Sequence, residues 1–283
     1  MELHIITAAA ALALLAALTL ACSKDDKPTA PAEMPAEVLE HLSFENYRTE
    51  TTKQNYGYHV FFEQYDAQQY DIWASGNAGA AMVNSKRTPE KFPTCATGDG
   101  YRGSAACLNT QSAGSLGSLV GKPIAAGNLF IGSFNKGKVM SDALKAAEFG
   151  VPVDREPVGV TGWYRYTPGP EFTDKNKKVI KDRTDEANIY GVFWDNTKAK
   201  VLYGDNALTS SAIVSKAQVA SLPPAEDWAP FEMTFEGDAP DPEKLAARSY
   251  SFTLVFSSSK GGDSFEGAIE STLWVDEVEV HFK

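Results

Sequence analysis

Residues 158–169, VGVTGWYRYTPG, read as a strand with two unlike faces. Side chains alternate across a strand, so Val158, Val160, Tyr164 and Tyr166 share one face while Thr161, Trp163 and Arg165 share the other. The first face is core; the second sets a tryptophan beside an arginine and calls for another explanation. The same period recurs further along the chain. Residues 250–259, YSFTLVFSSS, put Tyr250, Phe252, Leu254 and Phe256 opposite Ser251, Thr253 and Val255, and residues 231–236 set Phe231, Met233 and Phe235 against Glu232, Thr234 and Glu236. Both patterns predict half-buried antiparallel strands. Further strands are predicted in 58–65, 124–134, 187–195, 200–204 and 271–282, and a helical pattern only in 139–149. Many short strands between glycine, proline and asparagine turns predict an all-β chain, an antiparallel β-sandwich or jelly roll, with residues 41–283 as one domain. Within 271–282 the apolar phase changes from odd positions (Leu273, Val275) to even ones (Val278, Val280, Phe282). That predicts either a β-bulge near Asp276 and Glu277 or a strand crossing from one neighbour to another.

The amino terminus has a different character. Residues 5–21 are apolar apart from two threonines and end at Cys22, which is followed by SKDD. The run is short for a membrane span, which takes about 20 residues, and fits a secretory signal peptide over 1–21. Cys22 after Ala21 resembles the lipobox of bacterial lipoproteins, in which the cysteine is lipidated and becomes the first residue. The SKDD that follows resembles the export signal that sends lipoproteins to the outer face of the outer membrane, so the expected location is lipid-anchored and facing the cell exterior. Residues 22–40, rich in proline, alanine and acids, read as a flexible tether.

Beyond Cys22 the sequence holds two cysteines, Cys95 and Cys107, at the ends of CATGDGYRGSAAC. In an exported protein the pair predicts one disulfide across a glycine-rich loop. A formal net charge of −11 makes nucleic acid a poor partner, because phosphate binding needs a basic footprint. The basic run Lys175, Lys177, Lys178, Lys181 and Arg183 reads as a solvated loop tip.

The stretches WASGNAGA, IAAGNLFIGSF, FGVPVDREPVGVTGWYRYTPG, DEANIYGVFWD and SSSKGGDSFEGAIESTLWVDEVEV, in this order, resemble the family called putative carbohydrate metabolism domain, found in surface lipoproteins of gut bacteria. The resemblance runs from about residue 46 to the end. It implies a galactose-binding-like jelly roll akin to carbohydrate-binding modules, with a role in glycan capture or processing and with glycan-import or degradation proteins as partners. Many members carry an immunoglobulin-like domain ahead of this one, for which residues 22–40 leave no room. Related modules hold a structural calcium between an acid in an opening FE strand and an aspartate in a closing strand, which implies Glu45 and Asp276 as its anchors here.

A sugar presents C–H patches flanked by hydroxyls, so its site needs an aromatic platform edged by polar side chains. Trp163 with Arg165 is the first candidate. If the 187–195 strand pairs with 158–166, Tyr190 or Trp194 joins it. Trp73 with Asn77, at a strand-to-loop exit, is a third, and Trp228 and Trp274 read as packing. Hydrolysis needs two carboxylates at a set separation. Glu63, Asp71, Asp185, Glu186, Glu266 and Glu270 are available, but spacing in sequence singles out no pair. There is no nucleophile elbow, and His41, His59 and His281 lack metal-ligand spacing. The expected function is non-catalytic glycan binding by a surface lipoprotein. The alternatives are a glycoside hydrolase on the same fold and an adhesion or assembly subunit with no sugar site.

Overall fold

Alternation decides the first sheet. In the strand Pro157–Thr167, Val160, Tyr164 and Tyr166 are buried, while Thr161, Trp163 and Arg165 stand half-buried on the other face. The computed structural model describes residues 34–114 and 123–283. The expected signal peptide, the lipidated Cys22 and the tether as far as residue 33 lie outside the described residues. The tether expected through residue 40 ends earlier: Ala36–Leu39 forms a 3₁₀ turn whose Val38 and Leu39 join the core.

Two antiparallel sheets make a jelly-roll β-sandwich. The first runs Ala225–Thr234, Pro157–Thr167, Thr272–Phe282, Ala105–Asn109, Thr94–Thr97, with His41–Leu42 also paired to Thr272–Phe282. The second runs Leu202–Tyr203, Ala147–Phe149, Asn128–Phe134, Tyr250–Ser257, Asn188–Asp195, Ile213–Gln218, Glu236–Gly237; Val151–Val153 and Trp73–Ala74 add to it. Between them Val160, Tyr164, Leu273 and Val275 of the first sheet pack on Ile189, Phe193, Phe252 and Leu254 of the second. Each such side chain contributes roughly 1.5–3 kcal/mol on full burial.

Pro157–Thr167 and Asn188–Asp195 therefore belong to different sheets, and the expected pairing between them does not occur. The reason lies on the second face of Asn188–Asp195. All eight of its residues are buried, because Tyr190, Val192 and Trp194 are covered by a second cluster with Phe130, Phe149, Leu202 and Val255. The strand Tyr250–Ser257 is buried on both faces in the same way rather than half-buried. The segment 139–149 covers this outer face as the 3₁₀ turn Ala143–Lys145 and the strand Ala147–Phe149, not as the predicted helix; pairing of Ala147–Phe149 with Asn128–Phe134 and Leu202–Tyr203 outweighs helical propensity.

Both readings of the phase change hold together. The register with Pro157–Thr167 slips between Thr161 and Trp163, opposite Glu279 and Asp276, and Glu277 takes φ 46°. At the same point the outer neighbour of Thr272–Phe282 changes from Ala105–Asn109, paired with Thr272 to Val275, to His41–Leu42, paired with Val278 and Glu279.

Candidate functional site

Six of the residues singled out from sequence meet at one hairpin loop. The strands Thr94–Thr97 and Ala105–Asn109 pair with Cys95 opposite Cys107, and their loop, residues 98–104, folds back over the outer face of the first sheet. Arg165, Trp274, Cys107 and Cys95 occupy successive register positions across four strands of that face. The Arg165 guanidinium lies 4.8 Å from the Trp228 ring centroid and 5.0 Å from that of Trp274, and donates to Asp99 Oδ2 at 2.8 Å. Trp163 carries Tyr101 stacked on it, ring centroids 4.0 Å apart and planes 9° from parallel, and Trp228 meets Tyr101 edge-on at 6.4 Å. Trp163 is thus a pedestal for another ring and not itself the open platform.

The loop is held from below by carboxylates. Asp276, fully buried, accepts the Arg102 N–H on Oδ2 at 2.9 Å and its neighbour Glu277's N–H on Oδ1 at 2.8 Å, and the Tyr101 N–H donates to it as well. Glu45 Oε1 accepts the Ser104 N–H at 2.9 Å. Two glycines make this approach possible. Gly103 has φ 54°, and a Cβ there would land on the Glu45 carboxylate; one on Gly100 would come within 2.9 Å of Asp276 Oδ2. Glu45 and Asp276 do reach the same loop, as the calcium expectation requires. They meet N–H groups of the loop there. Burial pushes the Asp276 carboxyl up to about 6 against those N–H bonds.

The expected disulfide is not formed; Cys95 and Cys107 are both thiols, hydrogen-bonded to one another. Two further candidates are packing. Trp73 is buried and donates its indole N–H to Glu63 Oε1 at 2.8 Å, and Asn77, wholly buried, closes a reciprocal pair with the Thr94 backbone at 2.6 and 3.1 Å. Trp194 is also fully buried, its indole N–H taken up by the Ala199 carbonyl at 2.8 Å. All three are buried. The basic run is exposed as expected, Arg183 included, which also lies 3.8 Å over the Phe172 ring and pairs with Glu266.

Tyr190 has another outcome. It forms part of the floor of a groove of about 640 Å³ on the outer face of the second sheet, on the side of the sandwich away from the hairpin loop. The volume falls among small-ligand sites, roughly 300–1,000 Å³. Phe130, Phe149 and Val255 complete the apolar floor, with Phe130 and Phe149 in edge-to-face contact at 4.9 Å. At one end Gln218 donates to Asn188 at 2.7 Å; Lys260, Asp263 and Asp205 supply charge. Sequence reasoning missed all of these but Tyr190. The signal available was the unbroken apolar run of residues 189–194, which marks a strand covered on both faces.

The family model described as putative carbohydrate metabolism domain matches residues 43–281. The chain belongs to that family. Two solved structures resemble it over most of its length. One, described as a putative glycoside hydrolase from Bacteroides thetaiotaomicron, is 37% identical with a TM-score of 0.81, over 89% of this chain and 72% of its own. The other, described as a putative glycoside hydrolase from Bacteroides vulgatus, is 39% identical with a TM-score of 0.79, over 86% of this chain and 98% of its own. No curated protein matches. As a putative carbohydrate metabolism domain on a β-sandwich, the chain offers a ligand the groove on one outer face and the aromatic loop on the other.

Proposed function

We propose that this chain captures a glycan in the groove over the second sheet without cleaving it, and that it does so outside the cell, anchored through a lipid on Cys22 and reaching out on the tether. One observation carries the reading: a ring-lined floor (Phe130, Phe149, Tyr190) edged by amides and charges (Asn188, Gln218, Lys260, Asp263) in a groove of small-ligand size. The floor buries the C–H face of a sugar and the rim takes its hydroxyls. Family membership supports a carbohydrate as the ligand class. In the oxidising surroundings of an exported protein, the adjacent thiols of Cys95 and Cys107 are placed to close a disulfide.

Hydrolysis is the second reading, favoured by the description of the two similar Bacteroides structures. Asp205 and Asp263 are the carboxylates lining the groove and would be its acid and its partner. Binding ranks first because the carboxyls that burial pushes upward, Glu63, Asp185 and Asp276, lie outside the groove. The test is a glycan-array screen followed by calorimetry and product analysis of each hit. The expected result is saturable binding of an intact glycan that weakens at least ten-fold in Gln218→Ala and in Asp263→Ala. Shortened products that disappear in Asp205→Asn or Asp263→Asn would replace capture with hydrolysis, and an array without hits would turn the reading toward assembly.

A further inference from the structure

We infer that the 98–104 loop is a second carbohydrate-contact site, on the opposite side of the sandwich from the groove, at which a neutral polysaccharide stacks on Tyr101. Tyr101 is 39% exposed although it sits against two tryptophans, Trp163 and Trp228, that could have buried it. One ring face rests on Trp163, so the exposed surface belongs to the rest of a ring that cannot tilt away. Its backbone is fixed by the N–H bonds to Asp276, by the Ser104 bond to Glu45 and by the turn closed from Gly100 to Gly103 at 3.1 Å. A ligand meeting this ring has almost no ordering to impose on the protein, which is where pre-formed sites gain affinity.

Charge selects the ligand. The ionised groups around the ring are matched within the protein: Arg165 with Asp99 at 2.8 Å, Arg102 with Glu277 at 3.2 Å. A sulfated or acidic glycan would find no unpaired cation here, whereas a neutral one needs none. Asp99 and Arg102 remain largely exposed on either side of the ring, with side chains 76% and 73% accessible, so they can accept from and donate to sugar hydroxyls while keeping their pairs. A single ring is far smaller than the roughly 800 Å² per partner of a stable protein interface, but it matches the C–H face of one sugar unit.

The inference does not depend on the groove. The test titrates the full chain with soluble xylan, mixed-linkage β-glucan and galactomannan, following tryptophan emission and mobility in polysaccharide-containing gels. We expect at least one of them to shift the emission of the Trp163, Trp228 and Trp274 cluster. Tyr101→Ala should lose that shift and at least ten-fold in affinity at an unchanged melting temperature, and Tyr101→Phe should keep both. Should Tyr101→Ala melt early, protection of the wild-type Tyr101 phenol from nitration by the same polysaccharide gives the answer instead. Wild-type binding in Tyr101→Ala, a lack of protection, or no emission change with any of the three would overturn the inference. Tyr101-dependent binding that persists in the Gln218→Ala, Asp263→Ala double variant would uphold it even if the groove binds nothing; loss of all binding in that double variant would assign the ligand to the groove alone.

Discussion

Glu63 is a carboxyl set in the core. It is 6% exposed, its one polar contact is the Trp73 indole N–H, and burial pushes its carboxyl up to about 7. Asp276 follows the same logic at about 6, with burial as the dominant cause. In both cases the folded pKa lies above the unfolded one, so the folded state holds a proton that the unfolded chain releases. The stabilisation is complete below about pH 4 and is lost as pH rises through 6 to 7. Thermal melting between pH 4.5 and 8 should therefore show a falling limb that Glu63→Gln flattens, because glutamine keeps an acceptor for the indole and has no charge to desolvate. At pH 8 the variant should melt above wild type by about 2–4 °C for each kcal/mol recovered. An unchanged pH profile in Glu63→Gln would show that the carboxyl ionises without cost. This scale was the least legible in the sequence. Trp73 and Asn77 stand at a strand exit, where binding residues collect, but what decides their role is Glu63 ten positions away and the Thr94 backbone seventeen away, neither of which a local pattern can point to.

At the scale of elements, period was a reliable guide to which side chains share a face and a poor one to what covers that face. The alternation in Pro157–Thr167 and the phase slip at Asp276 were both readable. The cover over Tyr190 and Trp194 was not, since it comes from segments 130–149 and 202–212. The hairpin around residues 98–104 collects what the sequence had scattered: two cysteines, two acids, a tryptophan and an arginine. The N–H groups of Ala96 and Thr94 turn away from Ala105–Asn109, to His59 Nδ1 and Asn77 Oδ1, which leaves Cys95 and Cys107 as a hydrogen-bonded register pair. Such pairs hold their Cα atoms about 5.5 Å apart, a spacing that disulfides also favour. The two sulfurs can therefore be joined without moving the backbone, and oxidation adds about 3 kcal/mol for a loop of this length. Mass measurement of the protein held under oxidising conditions, before and after reduction, should show two hydrogens gained on reduction; two alkylatable thiols under those conditions would contradict it. Glu45 and Asp276 accept N–H groups of the loop; if these are their whole complement, chelator leaves the melting temperature where it is. A drop that added calcium reverses would show that a metal displaces those N–H bonds.

For the molecule as a whole, the sandwich separates two surfaces that the sequence had run together. Trp163 and Tyr190 were candidates for one site because their strands looked like neighbours; they belong to different sheets and look outward in opposite directions. The fold class was legible because strand period and turn chemistry are local. The groove was not, because its floor is assembled from three strands far apart in the chain, Asn128–Phe134, Asn188–Asp195 and Tyr250–Ser257, together with Ala147–Phe149. One more property follows from where the strand Thr272–Phe282 lies. It is nearest the carboxyl end, yet it sits inside the first sheet, bonded to Pro157–Thr167 on one side and to Ala105–Asn109 and His41–Leu42 on the other. Until it arrives, three earlier strands lack their partner, and the first sheet cannot close. The order of strands thus makes the first sheet wait for residues 272–282: its central rung is the piece that comes last of all its members, so the sheet closes around a late arrival and cannot grow outward from an early one.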